Sequence, residues 1–174
     1  MHQQINVKGR VREQYWPGTL MGFGIFITLG SLFTVAPWTL IDPSLLLRVL
    51  LVLCFGGNLF PYLRSGLWLG MERLEWFLFN LLAVGPIGTC LLLWCNFLFH
   101  GPAHTAVHKV IRVTTDPTVI TYEFADGYLK EFPFARGTYR DWYPIVGNGV
   151  RISEANGLLG VPVILGKEPF VFGH

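Results

Sequence analysis

Residues 74–100 read LEWFLFNLLAVGPIGTCLLLWCNFLFH, and beyond Glu75 this run carries no formally charged side chain. As a helix it would rise about 40 Å, more than the ~30 Å hydrocarbon core of a bilayer, so it can cross with some tilt or project past the lipid. Directly after it, Gly101-Pro102 ends any helix, and from Val107 the apolar residues fall into short alternating runs. This boundary decides the fold class. The expected architecture is a membrane protein with three transmembrane α-helices followed by a small all-β extramembrane domain, an SH3- or OB-like barrel or sandwich.

Two further apolar stretches precede that run, over about 19–40 and 45–63. Tyr15-Trp16 and Trp38 flank the first as interfacial aromatics. Its length exceeds the h-region of a cleaved signal peptide, and no small-x-small site follows it. Asp42-Pro43-Ser44 opens the second as a helix start does, with a capping oxygen and proline in the first turn. The expected organisation is an N-terminal segment 1–17, a three-helix region 18–100, a linker 101–106 and a β-module 107–174.

Charge follows the same partition. Only 14% of the 174 residues are charged, against about 25% in an ordinary soluble domain. Between Gln14 and Leu63 only Asp42 and Arg48 are charged, whereas residues 108–174 hold seven basic and seven acidic side chains. A single soluble globule, a disordered chain and a basic nucleic-acid binder are all excluded by that distribution. Lys8, Arg10 and Arg12 before the first span, with Arg64 and Arg73 before the third, place the N-terminus in the cytoplasm. Three spans then carry the C-terminal module to the periplasmic or extracellular side of what is expected to be a bacterial inner or plasma membrane.

The spans contain few polar groups. Arg48, one turn into the second helix, can snorkel to the interface and pair with Asp42, or face a lipid, quinone or haem-like ligand together with His100 at the membrane edge. Asn58 and Asn80 are positioned for an interhelical hydrogen bond. Gly85-Pro86 predicts a kink in the third helix, whose freed carbonyl a neighbouring helix would satisfy. Gly18 to Gly22 and Gly66 to Gly70 match G-x-x-x-G but fall outside span centres. Cys54, Cys90 and Cys95 all lie in spans and read as packing residues. No metal site is expected: His100, His104 and His108 recur at intervals of four, but Gly101-Pro102 interrupts the helix they would share.

In the module, strands are expected at 108–114, 118–124, 128–132, 149–153 and 161–165, with Phe170-Val171-Phe172 as a further short one. Asp126-Gly127 between two of them is a hairpin signal, and Asn148-Gly149 and Asn156-Gly157 mark other turns. A strand at Ile5–Val11 would extend the structure on the opposite side. The module's aromatics, among them Tyr139, Trp142 and Tyr143, come without the basic surplus that nucleic-acid grooves need. None of the nucleophile-elbow, zincin, P-loop or dinucleotide motifs is present, and Asp141 and Glu154 stand without a partner along the chain.

The function expected from these features is that of a non-catalytic accessory or assembly subunit of a larger membrane complex. Asn58, Asn80, Pro86, Tyr139, Trp142 and Tyr143 are its contact residues, and Arg48 and His100 form the candidate ligand site. Membrane lipids and other membrane-protein subunits are the expected partners, and no cofactor is expected. A binding protein for a lipid, quinone or haem-like ligand is the alternative, and a membrane enzyme or transporter component a further one.

Overall fold

The computed structural model describes residues 15–59, 71–116, 120–138 and 144–172. Helices come first, α1 over Tyr15–Thr34, α2 over Pro43–Leu59 and α3 over Arg73–Leu98. An antiparallel sheet follows, with β1 His104–Thr115, β2 Ile120–Phe124, β3 Gly137–Thr138, β4 Gly149–Asn156 and β5 Pro162–Phe170. Two helices are long and apolar enough to cross a membrane, Trp16–Trp38 and Arg73–Leu98, while α2 is apolar but has 17 residues. The strand expected at Ile5–Val11 and the contact residues expected at Tyr139, Trp142 and Tyr143 lie outside the described residues. The chain divides into two compact units, one of residues 1–30 and 47–90, the other of 31–46 and 91–174.

In the helical unit, local sequence accounts for each feature. Glu72 and Glu75 form a capping box at the start of α3, with Glu75 also favourably placed on the helix dipole. The predicted kink takes the form of a π turn over Asn80–Val84, directly before Gly85-Pro86. Pro86 has no N–H to give and would crowd the preceding turn; widening that turn lets the Gly85 N–H reach Asn80 O instead. Neighbouring helices cover the displaced carbonyls: Cys54 Sγ donates to Leu81 O at 3.6 Å, and Gly24 of α1 lies against Leu82 O. A Cβ at Gly24 would stand 2.1 Å from that oxygen, and one at Gly85 would stand 2.2 Å from Cys54 Sγ. The close helix approaches therefore occur at Gly24, Gly57 and Gly85. Gly18 and Gly22 face open space. Asn58 and Asn80 do not bond to each other as expected. Each donates to the carbonyl four residues back on its own helix, Cys54 O at 3.0 Å and Trp76 O at 2.8 Å, and Asn80 fills the notch left by Gly57.

The second unit is the sheet together with the ends of the helices. Its strand order is β3-β2-β1-β4-β5. β1 is long enough to serve two partners: residues 104–109 pair with β4, and 110–115 pair with β2. A bulge between Val110 and Arg112 bends it where the partner changes. β2 alternates as its sequence predicts, with Ile120, Tyr122 and Phe124 inward. These residues join Val110, Leu129, Val150, Ile152 and Ile164 in one core. Among the described residues no pairing joins β5 to β3, so the sheet is open and the closed barrel of the sequence reading is not formed by strand pairing.

The strand expected at 128–132 is absent, and a run of turns replaces it. Asp126 Oδ1 accepts the Tyr128 N–H at 3.0 Å, and Gly127 and Leu129 both take positive φ, 72° and 64°. Short local bonds, Lys130 N–H to Gly127 O and Phe132 N–H to Leu129 O, tighten the loop and drive Leu129 into the core. The two-residue β3 pairs with β2 in its place. Phe170 closes β5 and does not start another strand.

The connection between α1 and α2 is built into this unit. Pro37 ends the helix and a 3-10 turn over Ala36–Trp38 follows. Thr39 then bridges Val163 of β5, and the Leu40 N–H donates to Pro162 O at 2.8 Å. Leu40 enters the β core, with Trp38 packed against it. Asp42 accepts the Ser44 N–H at 2.8 Å and its hydroxyl at 2.7 Å, the cap expected for α2.

Candidate functional site

The richest chemistry in the described residues lies on β1, the central strand of the sheet, and its neighbour β4. In a strand, residues separated by an even number share a face, so His104 and His108 of β1 point the same way. Antiparallel register sets Glu154 of β4 directly opposite His104. The turns after β2 bring Asp126 and Tyr128 over the same strand. His104 Nε2 lies 2.7 Å from Glu154 Oε1, and His108 Nδ1 lies 2.5 Å from Asp126 Oδ2. Tyr128 joins the two pairs: its ring stacks on His108 at 4.0 Å and 6°, and its hydroxyl donates to Glu154 Oε2.

Electrostatics fixes the direction of these bonds. Burial pushes the Asp126 carboxyl upward, but the His108 hydrogen bond and the Tyr128 N–H outweigh it and hold the group below the usual carboxylate range. An ionised carboxylate only accepts, so His108 donates through Nδ1–H. Burial first, and then the Glu154 carboxylate, push the Tyr128 phenol well above its ordinary value, keeping it a donor. The five side chains form a circuit that straps the loop after β2 across β1 to β4. Beside it, a cavity of about 240 Å³ is lined by Phe124 and Tyr128 together with Glu123, Lys130 and Arg136.

A second feature closes the opposite side of the core. Lys167 of β5 donates to Ala135 O at 2.6 Å and Gly137 O at 3.3 Å, reaching the segment that leads into β3. Its ammonium lies 5.4 Å from the Trp38 ring and 5.8 Å from the Tyr122 ring. Burial lowers the amine to about 8. One side chain here does what a β3–β5 ladder would do in a closed barrel.

Asn96, in the last turns of α3, is 1% exposed and makes two bonds to the β4–β5 turn. Its Nδ2 donates to Val161 O at 3.0 Å, and its Oδ1 accepts the Leu159 N–H at 2.9 Å. Gly157 permits that approach, since a Cβ there would stand 2.4 Å from three Asn96 atoms. His100 bridges Gly157 through the backbone, and the Gly101 N–H donates to Asn156 O.

The residues singled out from sequence are distributed as follows. Arg48 is exposed on α2 in the helical unit; His100 is exposed in the second unit, its Nδ1 3.0 Å from Gly101 O. His104 and His108 come together on a strand, each with a carboxylate. Glu154, solitary in the sequence, turns out to be the acceptor shared by His104 and Tyr128. Among the described residues no group of three His, Cys, Asp or Glu side chains is placed to hold a metal ion. Sequence reasoning passed over Lys167 and Asn96 as site residues. Asn96 left a readable signal, a lone amide near the end of an otherwise apolar run, whereas nothing near Lys167 in the chain announced its burial.

The fold defines a class: helices, two of them long and apolar enough to span a membrane, followed by an antiparallel sheet. No protein-family model, curated protein or solved structure matches the chain.

Proposed function

We propose that this chain is an integral membrane protein acting as a non-catalytic accessory or assembly subunit of a larger membrane complex. It crosses the bilayer three times and presents its β-module as a docking surface. The observation that carries this reading is the union of the sheet with the helix ends. Leu40 and Trp38 from the α1–α2 connection sit in or against the β core, and Asn96 of α3 bonds the β4–β5 turn. Within this unit the sheet is thereby braced by the connection and by the end of α3, and a preordered docking surface loses less freedom when a partner binds.

The same union supports the topology. A connection that contributes to the β core shares that core's side of the membrane, which agrees with spans at α1, α2 and α3 and an N-terminus on the opposite face. Lys8, Arg10 and Arg12 then assign that face to the cytoplasm and the module to the periplasmic or extracellular side. α2, at about 25 Å, is the shortest of the three proposed spans. The module itself reads as an SH3/OB-type half barrel, held by Lys167 on one side and the Tyr128–Glu154 bond on the other.

Gentle native purification with identification of every accompanying chain tests the assignment. A reproducible partner lost when the module's surface is altered supports it. A monodisperse monomer with nothing bound overturns it. A reporter fused after His174 tests the topology, and signal in the cytoplasm reverses it.

A further inference from the structure

The β4–β5 turn carries Leu158 and Leu159 at its tip, 63% and 53% exposed. We propose that this tip is a lipid-inserted foot, immersed at the hydrocarbon boundary of the bilayer; the inference rests on the reading of α3 as a span. Depth follows from the helix. Glu72, Arg73 and Glu75 hold one end of α3 at the polar interface. A hydrocarbon core takes about 20 helical residues, which brings the far boundary close to Asn96. Asn96 is the residue that binds Leu159 N–H and Val161 O, so the turn is pinned to the helix at that level.

Three independent features suit the turn to lipid. The first is charge: from Ala155 to Gly166 no side chain is ionisable, although Glu154 and Lys167 bracket the segment. The second is backbone satisfaction, which hydrocarbon demands of any immersed chain. Gly157 N–H donates to Val161 O, Gly160 N–H to Gly157 O, and Leu159 N–H to Asn96. The third is continuity, because Leu98 and Phe99, at the end of the same helix, are also exposed. The amides of Gly157, Leu159 and Gly160 are thus paired, and both residues at the tip are leucine.

Photo-crosslinking of the full chain tests the proposal. p-Benzoylphenylalanine replaces Leu158, Phe26 or Ile111 in separate variants, each reconstituted in phosphatidylcholine–phosphatidylglycerol vesicles with alkyne-tagged acyl chains. All three positions are exposed, so the probe leaves the packing intact. Phe26 reports the apolar face of α1, and Ile111 lies more than about 20 Å along β1 from His104. The expected lipid adduct at 158 is within about threefold of that at 26 and roughly tenfold above that at 111. Adduct at 26 without adduct at 158 overturns the foot and leaves the anchor standing. Absence of adduct at both 26 and 158 removes the membrane reading and the foot with it. A polypeptide adduct at 158 in place of lipid, or equal labelling at 111, also overturns the proposal.

Discussion

Lys167 offers the sharpest quantitative test, because one side chain both joins β5 to the segment before β3 and carries a charge that its surroundings disfavour. Burial takes the amine from its ordinary 10.5 to about 8. The sign follows from proton counting. Between those two values the unfolded chain binds a proton that the folded chain does not, so stability rises with pH across that window. The size of the rise is about 3 kcal/mol, present in full above about pH 10.5 and absent below about pH 8. Lys167→Met removes the titrating group and keeps most of the apolar stem. At neutral pH two effects oppose each other: relief of the buried charge, and the loss of donors to Ala135 O and Gly137 O, about 1–3 kcal/mol for each carbonyl left without a partner. The variant's stability at pH 7 therefore changes modestly, while its dependence on alkaline pH flattens. Denaturant unfolding of the β-module in mild detergent, followed by near-UV circular dichroism from pH 7 to about pH 10.5, measures the slope. Carbon-13 labelling of lysine side chains measures the amine directly, the relevant resonance being the one that Lys167→Met eliminates. A midpoint near 10.5 for that resonance, or an identical alkaline slope in both proteins, would refute the argument.

Three other outcomes are expected. Gly157→Ala forces a Cβ onto Asn96 and destabilises the β4–β5 turn by about 1–3 kcal/mol, while Asn96→Ala leaves the Leu159 N–H without a partner at a similar cost and removes one of the two donors to Val161 O; faster hydrogen exchange at Leu159 reads both, and unchanged exchange in both contradicts the clamp. Asp126, whose carboxyl is held low by His108 and the Tyr128 N–H, contributes stability that is present above about pH 4 and lost as pH falls through its depressed folded value. Its half-exposed side chain keeps the contribution below about 1 kcal/mol, so the acid limb of the unfolding profile should flatten slightly in Asp126→Asn. Gly85→Ala drives a Cβ into Cys54 and should loosen the helical unit by about 1–3 kcal/mol, whereas Gly22→Ala, which meets open space, serves as the control and leaves detergent stability unchanged.

Features with a local cause were readable from the chain. Asp42-Pro43-Ser44 caps α2 because a carboxylate, a fixed φ and a nearby N–H are all supplied within three residues. Gly85-Pro86 perturbs α3 because the missing donor is Pro86's own, and the alternation over 120–124 buries one face because the pleat has a period of two. Where local signals conflicted, the reading failed. Residues 128–132 alternate like a strand, yet the Asp126 side chain captures the Tyr128 amide and Leu129 gains more from the core with positive φ than from a ladder. The helix contacts were missed for a related reason: G-x-x-x-G spacing marks a possible close approach, but Gly24, Gly57 and Gly85 are close because Leu82 O, Asn80 and Cys54 of other helices stand opposite them.

The site illustrates which part of a pattern survives a change of element. His104 and His108 share a face on a helix, where four residues make about one turn, and also on a strand, where any even interval suffices. The interval thus fixed only that the two rings point together. What they meet there depends on register: Glu154 faces His104 because β1 and β4 pair at that residue, and Asp126 reaches His108 because the loop after β2 closes in turns. A one-residue slip of β4 would send Glu154 to the opposite face and leave both the His104 bond and the Tyr128 bond unmade. The register is held in turn by Ile152 and Val150 in the core on the same face, so the polar circuit is positioned by apolar packing. Substituting Ile152 with alanine would accordingly loosen the Tyr128–Glu154 strap without touching any of its atoms.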